Sequence, residues 1–145
     1  MQEKITGRVI QITGPVLDVR FPDGHLPALL NAVEIPLDDG GKLVCEVAQQ
    51  LGDDVVRCIA MSSTDGMSRG MEAIDTGAPI KVPVGPETLG RMFNLLGRAI
   101  DEKPQPITCE KWSIHRDPPS YEQQESTTEL LETGIKVVDL IAPYA

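Results

Sequence analysis

Three cysteines and two histidines are the residues of this chain best suited to bind a metal ion. Cys45, Cys58 and Cys109 show no C-x-x-C spacing, and His25 and His115 lie far from them in sequence. Zinc sites normally use closely spaced Cys and His ligands, and disulfide frameworks normally contain an even number of cysteines. We therefore interpret Cys45 and Cys58 as small residues of a sheet, core or half-buried, and predict no metal-ligating residue and no disulfide.

Paired aspartates and a histidine are the candidates for acid–base chemistry. Asp38-Asp39 and Asp53-Asp54 lie in turn-like sequence, where carboxylates usually accept bonds from nearby backbone N–H groups. His115 has polar neighbours and could act as a base, but its proline-rich surroundings favour a packing or hydrogen-bonding role. Residues 62–64 (Ser-Ser-Thr) have no base near them in sequence. Because no nucleophile, base and orienting group come together, we predict no catalytic residue.

Glycines at two places could in principle cradle a phosphate group. Gly40-Gly41 and the pair Gly66 and Gly70 fit neither G-x-x-x-x-G-K-S/T nor a G-x-G-x-x-G that follows a strand. We interpret them as turn glycines that permit positive φ. The sequence thus predicts no cofactor-binding residue within its 145 positions.

The charge distribution excludes several classes of partner. The net charge is −9, and acidic residues exceed basic ones both in residues 1–84 and in residues 85–145. We therefore expect no nucleic-acid backbone binding and no docking to anionic lipid. No apolar run reaches the roughly 18–20 residues of a membrane span, and the N-terminal sequence has no secretory signal. Together with the odd cysteine count, these features predict a cytoplasmic protein.

Short apolar runs separated by turn residues fill the first 84 positions. They predict six strands, at residues 4–12, 16–21, 32–35, 42–51, 55–60 and 80–84. Residues 52–54 (Gly-Asp-Asp) predict a hairpin loop, and residues 62–75 predict an irregular surface excursion. Scarce aromatic residues imply a core of Val, Ile, Leu and Met. The expected fold is mainly β, a small closed antiparallel β-barrel over 1–84.

Residues 85–145 have a different character. Pro86 and Glu87 suit a helix start, and apolar residues follow at helical spacing, so the pattern predicts a helix over 86–96. The proline-rich stretch 101–120 predicts extended chain. Residues 129–141 are strongly apolar and predict a helix after Gly134. Since so apolar a segment cannot form a core by itself, we expect it to need a partner or further chain.

Several strings of the sequence are similar to the β subunit of F-type ATP synthases. The most specific are residues 5–19 (ITGRVIQITGPVLDV) and 75–97 (DTGAPIKVPVGPETLGRMFNLLG), with shorter ones at 46–52, 56–61, 63–67 and 132–140. The similarity follows the chain in order over nearly its whole length. It implies a six-stranded barrel over 1–84 and the incomplete opening of an α/β nucleotide-binding domain over 85–145, with the chain ending before the phosphate loop.

The resemblance also implies a function for the parent protein. A β subunit makes or hydrolyses ATP, coupled to proton or sodium transport, with Mg-ATP, ADP and phosphate as ligands. It alternates with α subunits in an α3β3 head that is peripheral on the inner face of the cell membrane, and it meets the central stalk through other regions. The family's catalytic and nucleotide-binding residues match no position here, so we expect this chain to be inactive alone and to act in assembly. The alternatives are an autonomous nucleotide-binding enzyme and an autonomous small-barrel binding module.

Overall fold

A closed β-barrel of six antiparallel strands dominates the computed structural model, which describes residues 5–38, 40–107, 110–124 and 129–144. The order around the barrel is β1-β2-β5-β4-β3-β6, and β6 pairs with β1 to close it. The closed barrel confirms the fold predicted for the first part of the chain. Its strands are β1 (Thr6–Thr13), β2 (Val16–Arg20), β3 (Asn31–Pro36), β4 (Lys42–Gly52), β5 (Val55–Ala60) and β6 (Glu72–Pro79).

Alternating inward and outward side chains produce the barrel core. Leu17 and Val19 of β2 are fully buried, and Phe21, just after the strand, is 3% exposed. These residues pack with inward residues of the other strands, so hydrophobic burial on one face of each strand stabilises the whole barrel. Every strand contributes to this core cluster, which contains Val9, Leu17, Val19, Phe21, Val33, Ile35, Leu43, Cys45, Val47, Val56, Cys58 and Ala73.

Tight turns fix the register of two of the barrel hairpins, β4–β5 and β1–β2. Asp53 and Asp54 form a two-residue loop with φ of 50° and 58°, between the paired residues Gly52 and Val55. Two successive positive φ values match the twist of the flanking strands, so β4 and β5 form the hairpin that the sequence predicted. At the other hairpin, Gly14 has a φ of 57° and connects β1 to β2.

The sixth predicted strand, at residues 80–84, is not a strand of the barrel. Residues 81–83 do form a strand, but it pairs outside the barrel. The sixth barrel strand is β6, whose first residues lie in the predicted excursion at 62–75. Ala73 is fully buried, and Ile74 pairs with β1 on one side and β3 on the other. Because polar residues surround Ala73, the sequence of this segment lacks the apolar alternation of a strand. In the fold it is a strand because it forms hydrogen bonds with a neighbouring strand on each side.

The predicted helix over residues 86–96 was also wrong. Only Pro86–Thr88 form a single 3-10 turn, and Gly90 follows with a φ of 67°. Further on, the Asn94 side chain accepts bonds from the backbone N–H groups of Leu96 and Arg98, at 3.1 and 2.9 Å. Side-chain bonds of this kind compete with helical ones, and an interior glycine weakens a helix. The chain therefore folds into compact turns.

The remaining elements outside the barrel are short. β7 (Lys81–Pro83) pairs with β8 (Lys111–Ser113), so the predicted extended stretch 101–120 contains one short strand. The helix α1 (Lys136–Ile141) follows Gly134 and confirms the prediction for that segment. Within the described residues, no helix has both the length and the apolar content needed to cross a bilayer.

Candidate interaction surface

A surface loop between β2 and β3 presents two leucines to solvent. Pro27 is buried, and its carbonyl accepts a 2.9 Å bond from Gln50 Nε2 of β4. The Leu30 N–H donates a 2.8 Å bond to the Val47 carbonyl. These two bonds hold the loop against β4 while Leu29 stays 55% exposed and Leu30 39% exposed. We call residues 27–30 the leucine loop.

Leu30 has an unusual backbone conformation. Its φ is 68°, in the left-handed region, which costs a residue with a Cβ about 1–2 kcal/mol. The bond to Val47 keeps it there, and the side chain gains little burial in return. Strained backbone of this kind concentrates at functional sites. The leucine loop is therefore the best candidate on the barrel for a contact with another protein.

A row of polar side chains crosses four strands on the outer wall. Gln11, Asp18, Arg57 and Gln49 lie opposite one another on β1, β2, β5 and β4. Arg57 donates two bonds to the Asp18 carboxylate, of 2.8 and 2.9 Å, and these bonds raise the pKa of Arg57. Asp18 alternates with the buried residues Leu17 and Val19 and so faces outward, but it is only 7% exposed because Arg57 covers it. This part of the outer wall is therefore polar, and the Asp18 carboxylate has its hydrogen-bond partner within the barrel.

Residues after the barrel are fastened to it at two places. Ile80 is 5% exposed and packs with Ala32 and Val44 of the barrel and with Leu96. On the outer wall, His115 Nε2 lies 2.6 Å from Glu46 Oε2 of β4. His115 thus has the hydrogen-bonding role that its surroundings favoured. These contacts hold part of residues 80–115 against the barrel.

An arginine–aspartate pair stabilises the turns that replace the predicted helix. Arg91 Nε and the Asp101 carboxylate are 2.5 Å apart, and Arg91 also donates a 2.7 Å bond to the Pro104 carbonyl. Both side chains are largely shielded from solvent. The bonds from Arg91 hold the pKa of Asp101 well below its usual value. The pair therefore stays ionised at neutral pH and connects residues 91 to 104.

The two cysteines that the structure describes lie in the barrel core. Cys45 and Cys58 are buried free thiols, and burial raises the pKa of each to about 12, so neither is a nucleophile at neutral pH. Cys58 lies opposite Val47, and Cys45 lies opposite Ala60. The two cysteines are therefore not paired with each other across the hairpin. Cys109 lies outside the described residues.

Turn residues account for the other candidates. Gly40, Gly66 and Gly70 all have φ near 80–90°, which supports their interpretation as turn glycines. The hydroxyl of Ser63 bonds Asp65, and that of Thr64 donates to the Gly14 carbonyl. His25 and Asp38 are exposed, and Asp39 lies outside the described residues. Across the described ranges, no three His, Cys, Asp or Glu side chains could jointly hold a metal ion.

The part of the sequence that forms the barrel matches a known protein family. Residues 9–77 match the beta-barrel domain of the ATP synthase alpha/beta family. The match begins inside β1 and ends inside β6, so it spans the barrel that the structure forms. It supports the family that the sequence strings indicated. The family description joins alpha and beta subunits, so the match supports the family and not one subunit.

The leucine loop is a feature of this barrel that sequence reasoning missed. The strand patterns left residues 26–31 without a role. An available signal was the adjacent pair Leu29-Leu30, two residues after Pro27, in a segment too short to form a buried element. Its left-handed backbone could not be read from the sequence, because leucine rarely adopts it.

Apolar exposure is greater still in residues 129–144. The Asp139 carboxylate accepts bonds from the Thr133 hydroxyl and from the N–H groups of Thr133 and Gly134, and these bonds lower its pKa. They tie the loop to α1 but leave its apolar side chains exposed to solvent. The exposed set is Leu130, Leu131, Ile135, Val137, Leu140, Ile141 and Tyr144.

Proposed function

We propose that this chain is the N-terminal region of a β subunit of an F-type ATP synthase and that its barrel is an assembly module. In the proposed complex, the barrel alternates with α-subunit barrels in the α3β3 head, on the inner face of the cell membrane. Residues 1–145 contain no G-x-x-x-x-G-K-S/T sequence. The Mg-ATP and phosphate chemistry assigned to the parent therefore belongs to other residues, and the role of this region is structural.

The match of residues 9–77 to the barrel domain is the observation that carries the proposal. A closed barrel has no free strand edge, so it cannot associate by adding strands. It must contact neighbours through outward side chains and loops, which makes it a rigid module that keeps its shape in a ring. The choice of a β over an α subunit rests on the sequence strings at 5–19 and 75–97.

The leucine loop gives the proposal a specific contact. Leu29 and Leu30 lie in a loop that is held against β4 by the backbone bond from Leu30 to Val47 and by the bond from the Gln50 side chain to Pro27, so they are ordered before any partner arrives. Pre-ordered apolar groups lose little conformational entropy on binding and often dominate an interface. We assign the leucine loop to the contact with an adjacent α-subunit barrel.

Native mass spectrometry with the matching α subunit tests this assignment. The wild-type chain is expected to form hetero-oligomers with the α subunit. Leu30→Asn removes the apolar side chain but keeps a residue that tolerates left-handed φ, so the fold is retained and association weakens at least tenfold. The control is Ile107→Asn, since Ile107 is 93% exposed outside the barrel. Association equal in both variants refutes the leucine-loop contact, and a folded chain that never associates refutes the assembly role.

The two alternatives make different predictions. An autonomous nucleotide-binding enzyme requires Mg-ATP binding by the single chain, which calorimetry measures directly. An autonomous barrel that binds nucleic acid or sugar needs exposed aromatic rings for stacking. Phe21 is the only aromatic residue in positions 1–84, and it is buried in the core. This observation favours assembly over ligand binding on the barrel wall.

A further inference from the structure

A cavity of about 330 Å³ lies where the barrel meets the residues that follow it. Its apolar lining includes Ala32, Val44 and Ile80, which are nearly buried and belong to the second core cluster. Four basic side chains also line it, from β4, β7, the turn after residue 97 and β8. We call this cavity the basic groove, and its cations are Lys42, Lys81, Arg98 and Lys111.

Most of the positive charge in the basic groove is uncompensated. Lys42 forms an ion pair with Glu34, which also lines the cavity. Lys81, Arg98 and Lys111 form no ion pair with any residue in the described part of the chain. Three cations thus converge in a chain whose net charge is −9 and which has 13 basic residues. Converging like charges in a cleft attract an anionic ligand.

The groove continues beyond this first cavity. A second cavity of about 380 Å³ shares Glu34, Lys42 and Arg98 with the first and extends along Pro36 and Ile74. Two adjacent cavities on a partly apolar surface suit an extended chain better than one compact anion. No aromatic side chain lines either cavity, so stacking of nucleic-acid bases has no support there.

We propose that the basic groove binds an extended acidic polypeptide segment that carries apolar side chains between its carboxylates. The carboxylates pair with Lys81, Arg98 and Lys111, and the apolar side chains cover Val44, Ile80 and Leu96. The inference goes beyond the proposed assembly role and does not depend on it, because the groove is formed by one copy of this chain.

Fluorescence anisotropy with a synthetic peptide tests the proposal on the full 145-residue chain. The probe is a short labelled peptide in which glutamates flank leucines, and the matched peptide has glutamine for each glutamate. The wild-type chain is expected to bind the glutamate peptide at least tenfold more tightly, with an affinity that falls as salt rises. The triple variant Lys81→Gln, Arg98→Gln and Lys111→Gln is expected to lose at least tenfold in affinity.

A charge-matched control separates local from global electrostatics. Arg69→Gln, Lys103→Gln and Lys136→Gln change the net charge equally at exposed positions that do not line the groove. This control should bind the peptide like wild type, and circular dichroism confirms that both triple variants fold. Equal binding by both variants overturns the proposal. Tripolyphosphate or single-stranded DNA that binds the groove as tightly as the glutamate peptide also overturns it, because the site then recognises anions in general.

Discussion

Gly7 of β1 is buried at a point where an added side chain would clash with its neighbours. A Cβ added at Gly7 would lie 2.6 Å from the Arg20 carbonyl oxygen and 3.0 Å from two ring atoms of Phe21. Carbon atoms in contact prefer roughly 3.5–4.0 Å, so β1 and β2 must separate or the Phe21 ring must move. Overpacking of this kind costs about 1–3 kcal/mol of stability. Alanine also has less conformational freedom than glycine in the unfolded chain, which offsets about 0.4–1 kcal/mol of that cost.

Gly7→Ala should therefore lower the free energy of unfolding by about 1–2 kcal/mol. For a domain of this size, that corresponds to a fall in Tm of roughly 5–15 °C. Urea unfolding followed by far-UV circular dichroism measures the change, and an unaltered m value shows that the unfolded state is comparable. Gly7→Ser should be less stable than Gly7→Ala, because its extra oxygen adds to the clash.

Gly24 provides the matched series for this prediction. It has a φ of 77° and an added Cβ would meet nothing within 4 Å, so substitution there costs backbone strain alone. Gly24→Ala and Gly24→Ser should therefore be equally destabilised. Two results would contradict this reasoning: Gly7→Ser as stable as Gly7→Ala, or the same difference between the Ser and Ala variants at position 24 as at position 7. In either case, the close approach of β1 and β2 is not the reason for glycine at position 7.

Two further predictions concern ionisation. Because its arginine partner lowers the pKa of Asp101, the pair stabilises the fold above the ordinary carboxyl pKa of about 3.9 and less as pH falls below it. Thermal melts against pH should show Asp101→Asn less stable than wild type at pH 7 and the difference shrinking towards pH 2. Burial raises the pKa of Cys45 and Cys58 to about 12, so both thiols should resist alkylation at pH 8 until the barrel unfolds. Because the unfolded thiols ionise near pH 8.5, stability should fall above that pH, and Cys45→Ala should reduce the slope of stability against pH there.

The barrel was largely predictable because its strands carry local signals. β5 lies at the predicted residues, and β4 differs by one residue at its end. Both strands alternate and are joined by a turn of Gly and Asp residues, so pattern and turn chemistry agree. β6 was missed because its apolar residues Ala73 and Ile74 stand between Glu72 and Asp75, and pairing with β1 and β3 makes the segment a strand.

The stretch after residue 85 shows the limit of helical periodicity. Apolar residues at helical spacing predicted a helix, but Gly90 interrupts it and Asn94 bonds its own backbone neighbours. Arg91 then pairs with Asp101, ten residues away, which a continuous helix would prevent. Competing local bonds and a distant ion pair outweigh a weak apolar stripe.

The sequence by itself determined the barrel class, the buried cysteines and the family resemblance, because these depend on alternation, turns and strings of neighbouring residues. Only the tertiary structure decided the leucine loop, where one bond to Val47 holds Leu30 in a left-handed conformation. Only the tertiary structure gathered Lys81, Arg98 and Lys111 around one cavity. Their charges are dispersed along an acidic chain, and folding brings them together because strand pairing joins segments that are distant in sequence.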